Sequence, residues 1–200
     1  MAHRLSLPDP NAVLDFWFGA PGSTTFGKTR TEWFRKDSEF DSAIAAHFGA
    51  WVEEALRGGL AQWDVQPHSA LARIVMLDQF PRNIYRGSAR AFAGDRHALA
   101  TARAMVVHGD DAKLAPVQRS FVYLPFEHAE DLQLQEQSVA LFAALVEQNP
   151  QLAGMLDYAK RHRDVIRRFS RFPHRNAILG RKSTPEELQF LRDGGPRFGS

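Results

Sequence analysis

Residues 38–59, SEFDSAIAAHFGAWVEEALRGG, decide the fold class of this chain. Large apolar side chains recur at every third or fourth position of the stretch, and a pair of glycines follows them. This spacing places Phe40, Ile44 and Phe48 on one stripe of an α-helix, and the glycine pair predicts its carboxyl end. The stretch therefore predicts one long amphipathic helix that begins near Ser38.

Most other long segments share this helical period, and capping residues and prolines mark where helices begin or end. We predict further helices from Pro10 to about Gly19, from Pro67 onward, at 95–107 with Asp95 as its cap, within 116–126 and ending before Pro125, at 130–148, at 151–169, and from the Thr184 capping box onward. No stretch alternates with enrichment in β-branched residues, so we predict no sheet. The predicted fold class is all-α, an array of about seven to nine antiparallel helices in a single domain over residues 1–200.

The composition narrows the possible classes of protein. Of the 200 residues, 44% are hydrophobic and 24% are charged, which is typical of globular proteins. A chain of this length buries roughly 70% of its unfolded surface, so it can form a core without covalent cross-links. The absence of cysteine excludes disulfides, thiolate metal sites, iron–sulfur clusters and cysteine nucleophiles. We predict no cofactor.

The chain shows no sign of export or membrane insertion. Residues 1–8 lack the apolar stretch of a signal peptide. The longest apolar run, residues 139–146, is far too short to cross a membrane. We therefore predict a soluble cytoplasmic protein without a membrane partner.

Charge is divided unevenly along the second half of the chain. Residues 127–157 contain six acidic and no basic residues, whereas residues 160–182 contain nine basic residues and one acidic residue. A basic block can bind nucleic acid. Packing of the basic segment against the acidic one is the simpler interpretation, so we predict that nucleic acid is not a partner.

A short motif occurs twice in the chain. The run FPRN at 80–83 returns as FPHRN at 172–176, each time after a stretch with helical period. In both copies an aromatic residue and a helix-stopping proline precede an Arg-Asn pair. If the two copies converge, they form an anion pocket. The ligand-binding residues predicted on this basis are Arg82, Asn83, Arg171, His174, Arg175 and Asn176. The alternative is that both copies only stop helices.

Two polar residues are predicted to face the core. Asp78 lies four residues after Ile74 on the apolar face of its helix, and His162 shares a stripe with Ile166. A buried carboxylate needs a partner, so Asp78 either bridges to an arginine such as Arg82 or orients a catalytic group. His162 is either a core residue or part of the predicted ligand site.

His128 is the candidate for acid–base chemistry. It lies beside Glu127 in an acidic segment that is predicted to enter a helix. A neighbouring carboxylate holds one imidazole tautomer and raises its proton affinity, which suits a general acid or base. The segment could also offer metal ligands, but its spacing matches neither H-E-x-x-H nor the Glu-x-x-His pattern of di-iron proteins. We predict no metal, with His128, Asp78 and Glu127 as candidate catalytic residues.

Several of these motifs resemble a known family. They are the runs LDQFPRN at 77–83, RGSARAFAGD at 86–95, YLPFEHAED at 123–131 and RFPHRNAILG at 171–180, followed by Ser183-Thr184. Over about residues 11–192 the chain resembles the mainly bacterial family called domain of unknown function nine hundred twenty-four. The resemblance implies a tetratricopeptide-like, all-helical fold. It implies no catalytic residues.

Two functions remain open from the sequence. A helical array favours a binding scaffold that presents a concave surface to a peptide or protein partner. The alternative is an enzyme or receptor for a small anionic metabolite, held by the Arg-Asn pairs, with His128 as the general acid or base. The sequence does not decide whether the protein is an enzyme.

Overall fold

A computed structural model describes residues 7–198 of the chain. Its α-helices are α1 Pro10–Phe18, α2 Ser38–Leu56, α3 Pro67–Ile74, α4 Phe80–Ile84, α5 Asp95–His108, α6 Pro116–Glu127, α7 Leu132–Gln148, α8 Ala153–Phe169 and α9 Pro185–Arg192. Residues 7–198 contain no β-strand. The all-α prediction is therefore confirmed, while the tetratricopeptide-like arrangement and the single domain stay predictions.

Helix starts follow the capping signals of the sequence. The Asp9 side chain accepts a hydrogen bond from the backbone amide of Asn11, directly before α1. Asp37 does the same for the first turn of α2. Before α9, Thr184 and Glu187 exchange side-chain and backbone hydrogen bonds in a capping box. These contacts satisfy amide groups that a helix leaves without partners in its first turn.

The helices pack in a partly sequential order. α6, α7 and α8 pack on one another, α3 packs against α1 and α5, and α2 packs against α4. Aromatic rings of α1 connect these groups: Trp17 meets Phe80 of α4 edge-on at 5.5 Å between ring centroids, and Phe18 meets Phe121 of α6 at 5.2 Å. All four rings are almost fully buried. The core therefore positions α4 and α6 relative to each other through α1.

Two helix boundaries differ from the predictions. α6 continues through Pro125 to Glu127, so the predicted end before Pro125 is wrong. Pro125 lies in the last turn, where its missing amide hydrogen costs one hydrogen bond while the residue is buried in the core. Asp95 begins α5 but does not cap it, because its carboxylate binds Arg82 instead.

The link between α3 and α4 is a π-helical turn, Val75–Gln79, which the sequence analysis does not predict. The Phe80 amide donates to the Val75 carbonyl five residues back. Pro81 has no amide hydrogen to offer the preceding turn, and the Arg82 side chain donates to the Asp78 carbonyl at 2.7 Å. Such turns occur often at functional sites, and this one carries Asp78.

The basic segment contacts the acidic segment, as the charge pattern of the sequence predicts. Arg181 pairs with Glu130, and Arg167 pairs with Glu136. These ion pairs support the packing interpretation of the basic block.

No helix within residues 7–198 has both the length and the apolar character that a membrane crossing requires.

Candidate functional site

Asp78 is the centre of a buried polar network. Its side chain is fully buried, with Oδ1 2.7 Å from Nδ1 of His128 and 3.5 Å from Nη1 of Arg82. The Gln79 amide donates to the other carboxylate oxygen. Burial alone would raise the pKa of Asp78, but the charges and hydrogen bonds of His128, Arg82 and Gln79 hold it well below its usual range. Asp78 is therefore ionised at neutral pH.

His128 ends α6, where its backbone amide donates to the Leu124 carbonyl. The predicted position at a helix entrance is therefore wrong, because α7 begins only at Leu132. Burial lowers the pKa of His128, and the positive charge of Arg82 lowers it further. A neutral imidazole beside the ionised Asp78 carries its proton on Nδ1, which donates to the carboxylate and leaves Nε2 with a free lone pair.

Glu127 and His162 form a second buried pair next to the first. Nδ1 of His162 lies 3.1 Å from Oε1 of Glu127 and 2.9 Å from the Tyr158 carbonyl oxygen. Both side chains are only 2–3% exposed. Burial raises the pKa of Glu127 well above its usual value, and the charge of Asp78 adds to the effect. Burial likewise lowers the pKa of His162 well below its usual value, so burial disfavours the charged form of both groups.

Polar atoms of this pair lack partners. Within residues 7–198, Oε2 of Glu127 and Nε2 of His162 are buried and make no hydrogen bond. One potential ligand atom from each of Glu127, His128 and His162 lies within 4.8 Å of the others. These three residues, called the Glu127 cluster below, are the group in the described part of the chain that could hold a metal ion.

An apolar cavity adjoins the Glu127 cluster. Its volume is about 350 Å³. It is called the Glu127 cleft here and is lined by Thr29, Phe34, Leu124, Glu127, Gln151, Leu152, Gly154, Met155 and Tyr158. Glu127 is the one acidic residue in this lining. Local sequence patterns do not predict this cleft, because its walls come from the loop before α2, the end of α6 and the start of α8.

The two copies of the motif meet through their arginines. Arg82 binds both oxygens of Asp95, at 2.7 and 3.1 Å. Arg175 lies 3.7 Å from the same carboxylate, donates to the His128 carbonyl at 3.1 Å, and has its guanidinium over the rings of Phe92 and Phe172. Burial lowers the pKa of Arg175 to about 10, so it stays charged at neutral pH. Both guanidinium groups thus have protein partners.

The asparagines of the motif lie apart from each other. Asn83 donates to Asp41 at 2.7 Å, next to α2. Asn176 is fully buried and donates to Ser183 and Glu187 near the start of α9. The structure therefore brings Asp78, Arg82, Glu127, His128, His162 and Arg175 together, and it places Asn83 and Asn176 elsewhere.

The remaining predicted residues surround the second copy. Arg171 binds both carboxylate oxygens of Glu187, at 2.6 and 2.8 Å. His174 is buried beside Phe172, and burial lowers its pKa to about 4. Neither residue lines the Glu127 cleft. In the described chain, the surroundings of Arg171 and Asn176 are those of a closed helix junction.

Glu187 should stabilise this junction in a pH-dependent way. Hydrogen bonds, chiefly from Arg171, lower its pKa to about 2, whereas the pKa of a glutamate in an unfolded chain is about 4.3. Its contribution is therefore fully present above the unfolded pKa and is lost as the pH falls toward the folded pKa. We expect Glu187→Gln to lower the free energy of unfolding at pH 7 by about 1–2 kcal/mol. Urea unfolding at pH 7, 4 and 2.5 should show the difference shrinking with acidity. A pH-independent difference would contradict this assignment.

The fold and the site define an all-helical protein with a buried carboxylate–histidine cluster beside an apolar cleft. The chain belongs to the family described as "Bacterial protein of unknown function (DUF924)", whose model matches residues 13–195. The family resemblance of the sequence motifs is thereby confirmed. The chain is also similar to a solved structure of a protein of unknown function from Agrobacterium tumefaciens, at 38% identity and a TM-score of 0.80, covering 92% of this chain and 97% of that chain. A comparison with curated proteins finds no match.

Proposed function

We propose that the protein binds a small, largely uncharged molecule in the Glu127 cleft, with Glu127 as its polar anchor. The observation that carries this proposal is a buried carboxyl group with an unpaired oxygen in a residue that lines a mainly apolar cavity. Small-molecule sites commonly combine an apolar lining with a few polar groups, in cavities of about 300–1,000 Å³. The cleft has both properties.

The cost of the unpaired oxygen supports a functional role. Leaving a buried polar group without a hydrogen bond costs about 1–3 kcal/mol, and native proteins contain few such groups. A hydrogen-bonding group on a ligand would supply the missing partner of Glu127. A purely structural position gains nothing from a carboxyl group there.

The functions considered from the sequence fit the geometry less well. An anionic metabolite would have to compete with Asp95 for Arg82 and Arg175, and the two asparagines do not reach the same place. A peptide or protein scaffold calls for an extended surface, whereas the cleft matches a small molecule in volume. The alternative of a receptor or enzyme for a small molecule is retained, with a largely uncharged ligand in the Glu127 cleft instead of an anionic metabolite.

A glycine in the cleft wall allows a direct test. Gly154 lies in the first turn of α8, and a Cβ added there would meet no atom within 4 Å. Gly154→Met should therefore fill the cleft without disturbing the fold. Gly49 in α2 has equally open surroundings and lies outside the cleft lining, so Gly49→Met is the matched control.

The measurement is ligand-observed NMR with a library of neutral and anionic fragments. We expect neutral, mainly apolar fragments to bind the wild type and Gly49→Met, and to lose at least tenfold in affinity for Gly154→Met. Fragments that bind all three proteins equally would contradict the proposal. A set of exclusively anionic fragments whose binding is lost in Arg175→Ala would instead support the anion pocket.

A further inference from the structure

We infer that the Glu127 cluster is a binding site for a divalent transition-metal ion of the zinc and iron(II) class, held by Glu127, His128 and His162. This inference goes beyond the proposed cleft ligand, because metal binding does not require that the cleft be filled. The sequence alone predicts no metal, because the spacing of these three residues matches no known short metal-binding motif.

The positions of the ligand atoms support a single ion. The three candidate atoms lie within 4.8 Å of one another. Around a tetrahedral zinc with bonds of about 2.1 Å, neighbouring ligand atoms are about 3.4 Å apart. Small side-chain rotations would close that difference. Glu127 and His128 come from the end of α6, and His162 comes from the middle of α8, so two packed helices position the ligands.

The hydrogen bonds made by the other ring nitrogen of each histidine resemble those of metal-binding histidines. Nδ1 of His128 donates to the Asp78 carboxylate at 2.7 Å, which orients the ring and leaves Nε2 available. A hydrogen bond of this kind is typical of zinc-bound histidine. His162 has the Tyr158 carbonyl 2.9 Å from its Nδ1. Within residues 7–198, its buried Nε2 has no hydrogen-bond partner.

A bound ion would explain why buried polar atoms of both Glu127 and His162 lack hydrogen-bond partners. Oε2 of Glu127 and Nε2 of His162 are both buried and both without a partner in the described chain. A buried polar atom that lacks a hydrogen bond calls for an unseen partner such as water or an ion. A cation held by these residues would supply such a partner.

The local charges also leave room for a cation. Arg82 and Arg175 carry two positive charges, and Asp78 and Asp95 carry two negative charges that balance them. Ionisation of Glu127 on metal binding would add one negative charge, and within residues 7–198 the partner of that carboxyl at salt-bridge distance is His162, with no arginine or lysine. Burying such a charge is costly unless it is paired or bound to a metal.

The chemistry of the ligands selects the class of metal. Two imidazoles and one carboxylate suit zinc, iron(II), cobalt and related ions, whereas calcium and magnesium prefer oxygen ligands. Three protein ligands leave at least one coordination position open, which is the usual arrangement of a catalytic rather than a structural metal site. Because Glu127 also lines the cleft, a molecule bound in the cleft would have access to that position.

Titration of chelator-treated protein with Co²⁺ tests the site. We expect visible absorption of protein-bound Co²⁺ that saturates at one ion per chain and is displaced by Zn²⁺. Glu127→Gln and His162→Gln should each lower the affinity for Co²⁺ at least tenfold. Glu130→Gln and His174→Gln are the matched controls, since they alter a neighbouring glutamate and another buried histidine, and they should bind Co²⁺ like the wild type.

A measurement on the wild type tests the site even if the variants fail to fold. Addition of Zn²⁺ should shift the ring-nitrogen NMR signals of His128 and His162 and leave those of His174 unchanged. Absence of saturable Co²⁺ binding to the wild type would overturn the inference, as would an equal loss in the control variants or a Zn²⁺-induced shift confined to other histidines. Gly154→Met separates the two proposals, because it should lose cleft ligands while binding Co²⁺ normally.

Discussion

Replacing Asp78 with alanine should lower the free energy of unfolding by about 3–5 kcal/mol, the usual cost of removing one partner of a buried ion pair. The carboxylate is fully buried and contacts His128, Arg82 and Gln79. Its loss leaves a cavity, an unpaired imidazole donor and a guanidinium with Asp95 as its remaining carboxylate partner. Urea unfolding followed by circular dichroism measures the change.

An exposed aspartate provides the control for this experiment. Asp164 also pairs with arginines, but its side chain is 59% exposed. Asp164→Ala should therefore change the free energy of unfolding by no more than about 1 kcal/mol. A loss of the same small size for Asp78→Ala would show that the network around Asp78 does not stabilise the start of α4.

Among the glycines of residues 7–198, Gly94 should be the one least tolerant of a change to alanine. A Cβ at Gly94 would lie 2.1 Å from the Leu77 carbonyl oxygen, a backbone atom of the π-helical turn that carries Asp78. The backbone would have to move, which we expect to lower the free energy of unfolding by about 3 kcal/mol or more. The displaced turn should also weaken Co²⁺ binding at the Glu127 cluster.

The same substitution at Gly49 should have the opposite sign. Gly49 lies inside α2 with no atom within 4 Å of an added Cβ. Gly49→Ala should therefore stabilise the protein by about 0.5–1 kcal/mol, because alanine favours the helix more than glycine does. Thermal unfolding of both variants gives the comparison. A neutral Gly94→Ala would mean that the α5 start does not approach the turn as closely as the structure shows.

Local signals in the sequence predict the helices and the burial of Asp78. Caps such as Asp9, Asp37 and Thr184 act on the amides next to them, so their effect can be inferred from neighbouring residues alone. The helical period likewise places Asp78 inward, although the π-helical turn around it depends on contacts with α5. Local chemistry thus predicts which segments are helical and that Asp78 is buried. Packing between distant segments decides the local helix geometry, such as the π-helical turn.

The site itself depends on contacts between distant parts of the chain. Glu127 meets His162, thirty-five positions later, only because α6 and α8 pack together. The repeated motif is misleading for a related reason. The extra residue His174 converts the second copy into a 3₁₀ turn, Pro173–Arg175, whereas the first copy starts α4. The two similar sequences therefore have different backbone conformations, and Asn83 and Asn176 bind different partners.

The central claim is that Glu127 serves a ligand or an ion rather than the stability of the fold. Replacing a buried, incompletely paired carboxyl with an apolar side chain of similar size removes a desolvation cost and adds apolar contact. His162 keeps the Tyr158 carbonyl as its Nδ1 partner in such a variant. Glu187, whose carboxylate is fully paired, should behave in the opposite way when it is replaced.

Equilibrium urea unfolding of Glu127→Leu at neutral pH, in the presence of a chelator, is the most direct test. We predict that the free energy of unfolding rises by about 1–3 kcal/mol over the wild type, while Glu187→Leu lowers it. A Glu127→Leu protein that is destabilised as much as Glu187→Leu would contradict the claim, because Glu127 would then be a structural residue.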